Sequence, residues 1–161
     1  MRVFWTAVGI LAALLMQSAL SQIAPGQARI LDPFLLVLVY CALTGGETHG
    51  MLAGAAAGWV QEVHFGGTVK GLSGLTKVLV GFGVGLAGRR FLLAQPGPRL
   101  LVVFVATLMD ALILEGLAAA FEVRAQELSF PGLLSRGAVN AVVGATLFGV
   151  FDRLWRREAR P

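Results

Sequence analysis

From Val3 to Leu20 the chain reads VFWTAVGILAALLMQSAL, with no charged side chain anywhere in it. A helix needs about 20 apolar residues, with a range of roughly 17–25, to cross the hydrocarbon core of a bilayer. Inside that core every backbone polar group must be satisfied within the segment, so such a run folds as a helix. It is long for the apolar part of a secretory signal peptide, roughly 7–15 residues, and is expected to stay in place as a first span. Further apolar runs follow, divided by turn signals. Pro25-Gly26 interrupts the chain, and Asp32-Pro33 offers an N-cap followed by proline at the first helical position. Gly66-Gly67 makes a turn, Gln95-Pro96-Gly97-Pro98 a break, and Glu122 to Pro131 a polar loop. Spans are expected at about 3–21, 30–44, 48–64, 71–93, 99–121 and 132–154.

Composition supports the same reading. Only 14% of the residues are charged, where a soluble domain carries about 25%. Folded in water, such a chain would expose a very large apolar surface. The expectation is an all-α integral membrane protein, one domain over residues 1–161 built as a six-helix transmembrane bundle. The net charge of +4 does not point to nucleic acid, because much of the positive charge falls at span ends. It is read as a signal of orientation in the bilayer. Arg2, Arg89, Arg90, Arg99, Arg153, Arg156, Arg157 and Arg160 share one side. Arg29, Lys70, Lys77, Arg124 and Arg136 share the other. The excess places both termini in the cytoplasm.

Cys41 is the only cysteine, so no disulfide within the chain and no cysteine metal cluster is possible. His49 and His64 lie far apart, and neither sits in a metal motif. No phosphate-binding loop or nucleophile elbow occurs. Neither a cofactor nor catalysis is expected.

Gly46, Gly50, Gly54 and Gly58 recur every four residues, and Glu62 and Gly66 continue the step. Residues four apart stack on one helix face. In lipid, helices associate through close packing and hydrogen bonds, and small residues let backbones approach. The row therefore predicts a tight helix contact, either within the bundle or against a partner's helix. The fourth span carries a similar stripe, Lys70, Gly74, Lys77, Gly81, Gly85 and Gly88, stepping by threes and fours. A short turn joins the two spans, so their glycine faces are expected to meet. Glu62 would support that turn, either by pairing with Lys70 or Lys77 or by accepting from the free N–H groups that open the fourth span.

Charged residues inside spans cost about 2.5–3.5 kcal/mol each and usually face inward and pair. Glu62, Lys77, Asp110, Glu115, Arg136 and Asn140 all fall in the outer half of the expected bundle. Lys77 with Glu115 is the best match in depth. Asp110 has Asn140, Lys77 or its own protonation as outlets. The cluster reads as a packing network, a pocket for a small ligand or lipid headgroup, a proton or ion path, or a partner contact. At the C-terminus, Arg153, Arg156, Arg157 and Arg160 flank Trp155, the composition of a cytoplasmic anchor on anionic lipid.

The segment DPFLLVLVYCALTGGETHGMLAGAAAGWVQEVHFGGTVKGLSGLTKVLVGFGVGLAGRR resembles the MreD family of bacterial rod shape-determining membrane proteins. An apolar span opening at Asp-Pro is followed by a glycine-spaced span. Gly58 to Glu62 stands at that family's G-x-x-x-D position, with Glu for the commoner Asp. Gly66-Gly67 and Gly71-Leu72 follow, then a glycine-rich span closing in Arg89-Arg90. The resemblance implies a noncatalytic subunit of the cell-wall elongation complex, located in the bacterial inner membrane, that binds MreC. MreB, the RodA glycosyltransferase and its partner transpeptidase are the further partners implied. It also implies a fold like that of the substrate-binding S-components of energy-coupling-factor transporters. The alternative is accordingly a small-ligand or vitamin-binding membrane subunit. S-components commonly dock through Ala-x-x-x-Ala in the first span. Here Ala7, Ala12, Ala13 and Ala19 give no pair at that spacing. A proton-coupled transporter is a third class, without visible halves or paired broken helices to support it.

Overall fold

A computed structural model describes residues 2–28, 30–66, 71–90, 96–122 and 129–158. Their secondary structure is helical: α1 (Arg2–Ile23), α2 (Pro25–Ala28), α3 (Pro33–Gly45), α4 (Glu47–Phe65), α5 (Leu72–Arg90), α6 (Pro96–Ala120) and α7 (Phe130–Glu158).

Local chemistry accounts for the boundaries. Pro25 does not merely break the chain; it opens the single turn of α2, because proline has no N–H to lose at a first helical position. Pro33 does the same for α3, where the Asp32 side chain accepts from the N–H of Leu35 at 3.0 Å. Pro96 opens α6, so the helix starts inside the expected break. The joint between α3 and α4 is one residue long. The N–H of Gly46 closes α3 on the carbonyl of Ala42, and its own carbonyl receives the N–H of Gly50 to start α4, both at 2.9 Å. Its φ of 82° is a left-handed value that a side chain would resist.

Among the described residues, four stretches are long and apolar enough to cross a membrane: Val3–Ile23, Pro25–Gly45, Gly97–Ala120 and Phe130–Phe151. The protein is therefore an all-α, multi-pass membrane protein. The apolar part of α5, Leu72–Gly88, is shorter. In α4, glycines and the polar residues Glu47, His49, Gln61 and Glu62 dilute the apolar content.

α3 lies at the centre and touches α1, α4, α5, α6 and α7. Around it the other long helices follow in chain order, α1 beside α4, α4 beside α5, α5 beside α6 and α6 beside α7. α7 and α1 do not meet among the described residues. Phe34, Leu35, Leu38 and Val39 of α3 are wholly buried. The Tyr40 ring packs at a tilt against Phe148 of α7, with ring centroids 5.3 Å apart. Thr6 of α1 lies in hydrogen-bond contact with His49 of α4, 3.0 Å apart, tying the first helix to the glycine helix. Along α1, by contrast, Val3, Phe4, Leu11, Leu15 and Ile23 are exposed, a face suited to lipid.

Candidate functional site

The site is built on the α4–α5 hairpin. A Cβ added at Gly50 would stand 2.5 Å from the carbonyl oxygen of Gly81. One at Gly54 would meet the carbonyl of Lys77, and one at Gly58 would lie 2.5 Å from the Cα of Gly74. From the α5 side, a Cβ at Gly81 would meet the carbonyl of Gly50, and one at Gly85 the backbone of Glu47 and Gly46. The two glycine faces thus meet backbone to backbone inside the chain. Two members of the stripes have other neighbours as well. Gly46 is the hinge between α3 and α4, and Gly88 sits in ordinary contact with Leu43 of α3, whose nearest atom lies 3.4 Å away.

Glu62 lies buried at the end of the row. Its carboxylate accepts from the backbone N–H groups of Gly71 and Ser73, at the entry to α5. Those N–H groups have no partner within the helix, and the positive end of the helix dipole favours a carboxylate. Of the two roles open to Glu62 in the sequence, the structure uses this one. Lys70, the other candidate partner, lies outside the described residues. Glu62→Gln is expected to lower stability in detergent by about 1–2 kcal/mol, the scale of one charge-assisted hydrogen bond and a dipole contact. Thermal unfolding checks this, with function per folded molecule unchanged. Intact stability with lost function would assign Glu62 a chemical role instead.

Close backbone packing places Lys77 deep in the bundle, where it is 2% exposed. Its partner is not Glu115. The Lys77 Nζ donates to Asp32 Oδ2 at 3.0 Å and stands 3.6 Å from Asp110 Oδ1. Glu115 is half-buried and lies on α6 a little more than one turn beyond Asp110. Matching depth alone could not choose between them, because it ignores which way each side chain points around its helix. Asp32, which the sequence presents as an N-cap, serves both ends of its carboxylate: Oδ1 on the N–H of Leu35 and Oδ2 on Lys77. Asn140 does not pair with Asp110. Wholly buried, it accepts from the backbone N–H of Asp32 and donates to the carbonyls of Ile30 and Arg136. It thereby pins α7 to the segment that opens α3.

These groups border a half-open cavity of about 480 Å³. Asp32, Lys77, Asp110 and Arg136 line it together with Gln17 of α1 and Gln61 of α4. Glu62, Glu115 and Asn140 stand outside its lining. Gln17 and Gln61 escaped the sequence reading. The available signal was an amide inside an otherwise uncharged span and another beside Glu62. Among the described residues, no group of His, Cys, Asp and Glu could hold a metal ion. The side chains of Arg153, Trp155, Arg156, Arg157 and Arg160 lie outside those described.

Fold and site define the class: a multi-pass helical membrane protein with a glycine-packed hairpin and a charged, polar cavity at the end of the bundle where α3, α5 and α7 begin. No family model matches the chain, and no solved structure matches its fold.

Proposed function

We propose that the protein is a noncatalytic inner-membrane subunit of the bacterial cell-wall elongation complex, in which it binds MreC and helps organise wall synthesis with RodA, its partner transpeptidase and MreB. The observation that carries this reading is the hairpin. The segment from Asp32 to Arg90, which bears the resemblance to MreD, folds as the packed centre of the chain. Its glycines at four-residue spacing meet across α4 and α5, and Glu62 accepts from the backbone N–H groups that open α5. A rigid hairpin of this kind suits a scaffold that presents fixed surfaces to partners. In this reading α4 and α5 also cross the bilayer, giving six crossings and cytoplasmic termini in a bundle of the S-component type. At about 1.5 Å per residue, the 19 residues of α4 span ~28 Å, close to the ~30 Å hydrocarbon core. The arginines around Trp155 then lie on the cytoplasmic leaflet.

A second reading, a small-ligand-binding subunit of a membrane transporter, is favoured by the cavity. Affinity purification of the full chain in mild detergent separates the two. Recovery of MreC and RodA is the expected result. Recovery of transporter ATPases without wall-elongation proteins would overturn the first reading in favour of the second.

A further inference from the structure

Four buried polar atoms around the cavity have no hydrogen-bond partner among the described residues: Gln17 Oε1, Gln61 Oε1, Asp110 Oδ1 and Arg136 Nε. Gln17 is 9% exposed and Asp110 5%. Buried groups left this way cost about 1–3 kcal/mol each, more when charged. Nearby polar groups are well served: Asn140, Asp32 and Glu62 all have partners. Unmet bonding capacity is therefore concentrated on the cavity wall.

The charges sort in a definite way. Asp32 and Lys77 neutralise each other at 3.0 Å. Both Asp32 oxygens are occupied, by Lys77 and by the N–H of Leu35. What remains is Asp110, held only loosely at 3.6 Å from Lys77, and Arg136, which has no ion pair among the described residues. Asp110, Arg136, Gln17 and Gln61 line the same cavity, and each holds one buried polar atom without a hydrogen-bond partner in its wall. Three acceptors, one of them charged, match the three N–H donors of a primary ammonium. A guanidinium matches phosphate or carboxylate. A volume of about 480 Å³ falls within the roughly 300–1,000 Å³ of small-ligand pockets.

We infer that this cavity binds a zwitterion of the phosphoethanolamine kind, its primary ammonium at Asp110, Gln17 and Gln61 and its anionic group at Arg136. The same chemistry is presented by a free solute and by the headgroup of phosphatidylethanolamine. The inference deepens the cavity reading above. It concerns binding and not transport, so a protein that binds zwitterions without recruiting an ATPase removes the transporter reading and leaves this one standing.

The test uses the purified full chain in detergent, with binding read by native mass spectrometry and thermal shift. Probes are phosphoethanolamine, phosphatidylethanolamine, phosphocholine and phosphatidylcholine. The choline compounds carry the same charges but no N–H donors. Saturable binding of an ethanolamine probe at least about tenfold tighter than its choline counterpart, or ~1.4 kcal/mol, is expected. A response to phosphoethanolamine assigns a soluble ligand; a response confined to phosphatidylethanolamine assigns a lipid. Gln61→Met and Arg136→Gln should each weaken ethanolamine binding about tenfold. Gln61→Met keeps the test informative if Arg136→Gln fails to fold. Equal binding of ethanolamine and choline probes, or no binding by the folded protein, would overturn the inference and leave a cavity filled by water.

Discussion

Gly54→Leu should abolish recovery of folded, monodisperse protein. The atom that a side chain at Gly54 would strike is the backbone carbonyl of Lys77, which no rotamer change can move. Adding atoms to a packed interior costs about 1–3 kcal/mol and sometimes more. Here α4 and α5 must separate along the whole row, since Gly50 and Gly58 make equally close approaches on either side. Separation would also draw Lys77 away from Asp32 and Glu62 away from the start of α5. Even Gly54→Ala is expected to lower the unfolding temperature, because the first side-chain carbon already collides. Gly83→Ala and Gly116→Ala are the controls. A Cβ at either meets nothing within 4 Å, and alanine favours a helix over glycine by about 0.5–1 kcal/mol. Size-exclusion profiles and thermal unfolding of all four variants decide the matter. Wild-type behaviour of Gly54→Leu would mean that the two faces do not meet.

Lys77→Met has the second large effect. It leaves the carboxylates of Asp32 and Asp110 buried without their cation. Removing one partner of a buried pair costs about 3–5 kcal/mol. The loss comes from the stranded charges, so a second substitution should recover part of it. Asn at position 32 can still accept from the N–H of Leu35 and cap α3. The double variant Lys77→Met with Asp32→Asn is therefore expected to be more stable than Lys77→Met alone, with a coupling of about 0.5–3 kcal/mol. Glu115→Gln should change stability little, since Lys77 is paired elsewhere. Chemical denaturation in mixed micelles of the four proteins of the cycle, and of Glu115→Gln beside them, measures these losses. A larger loss from Glu115→Gln than from Asp32→Asn would restore the pairing that depth alone suggested.

Much of the architecture was legible before any coordinates. Apolar length and turn residues placed the long helices to within a few residues, because a segment in lipid has few ways to satisfy its backbone. The four-residue step of Gly50, Gly54 and Gly58 announced a close approach, and the short link after Gly66 named α5 as its neighbour. Glu62 was readable for the same reason: it ends the row beside the next helix start, where unpaired N–H groups wait.

Pairing was not legible. Spacing along one helix gives the depth of a side chain but not its direction around the axis once several helices pack together. Only the tertiary structure turned Asp32, an N-cap by sequence, into the principal partner of Lys77, and set Glu115 apart. It alone gathered Gln17, Gln61, Asp110 and Arg136, from four different helices, onto one cavity wall. The sequence by itself determined a helical membrane chain with a glycine-spaced hairpin, since both follow from local length and period. Which polar groups pair, and which are left facing the cavity, was decided by how the helices are rotated against one another around α3, a property of the packed whole.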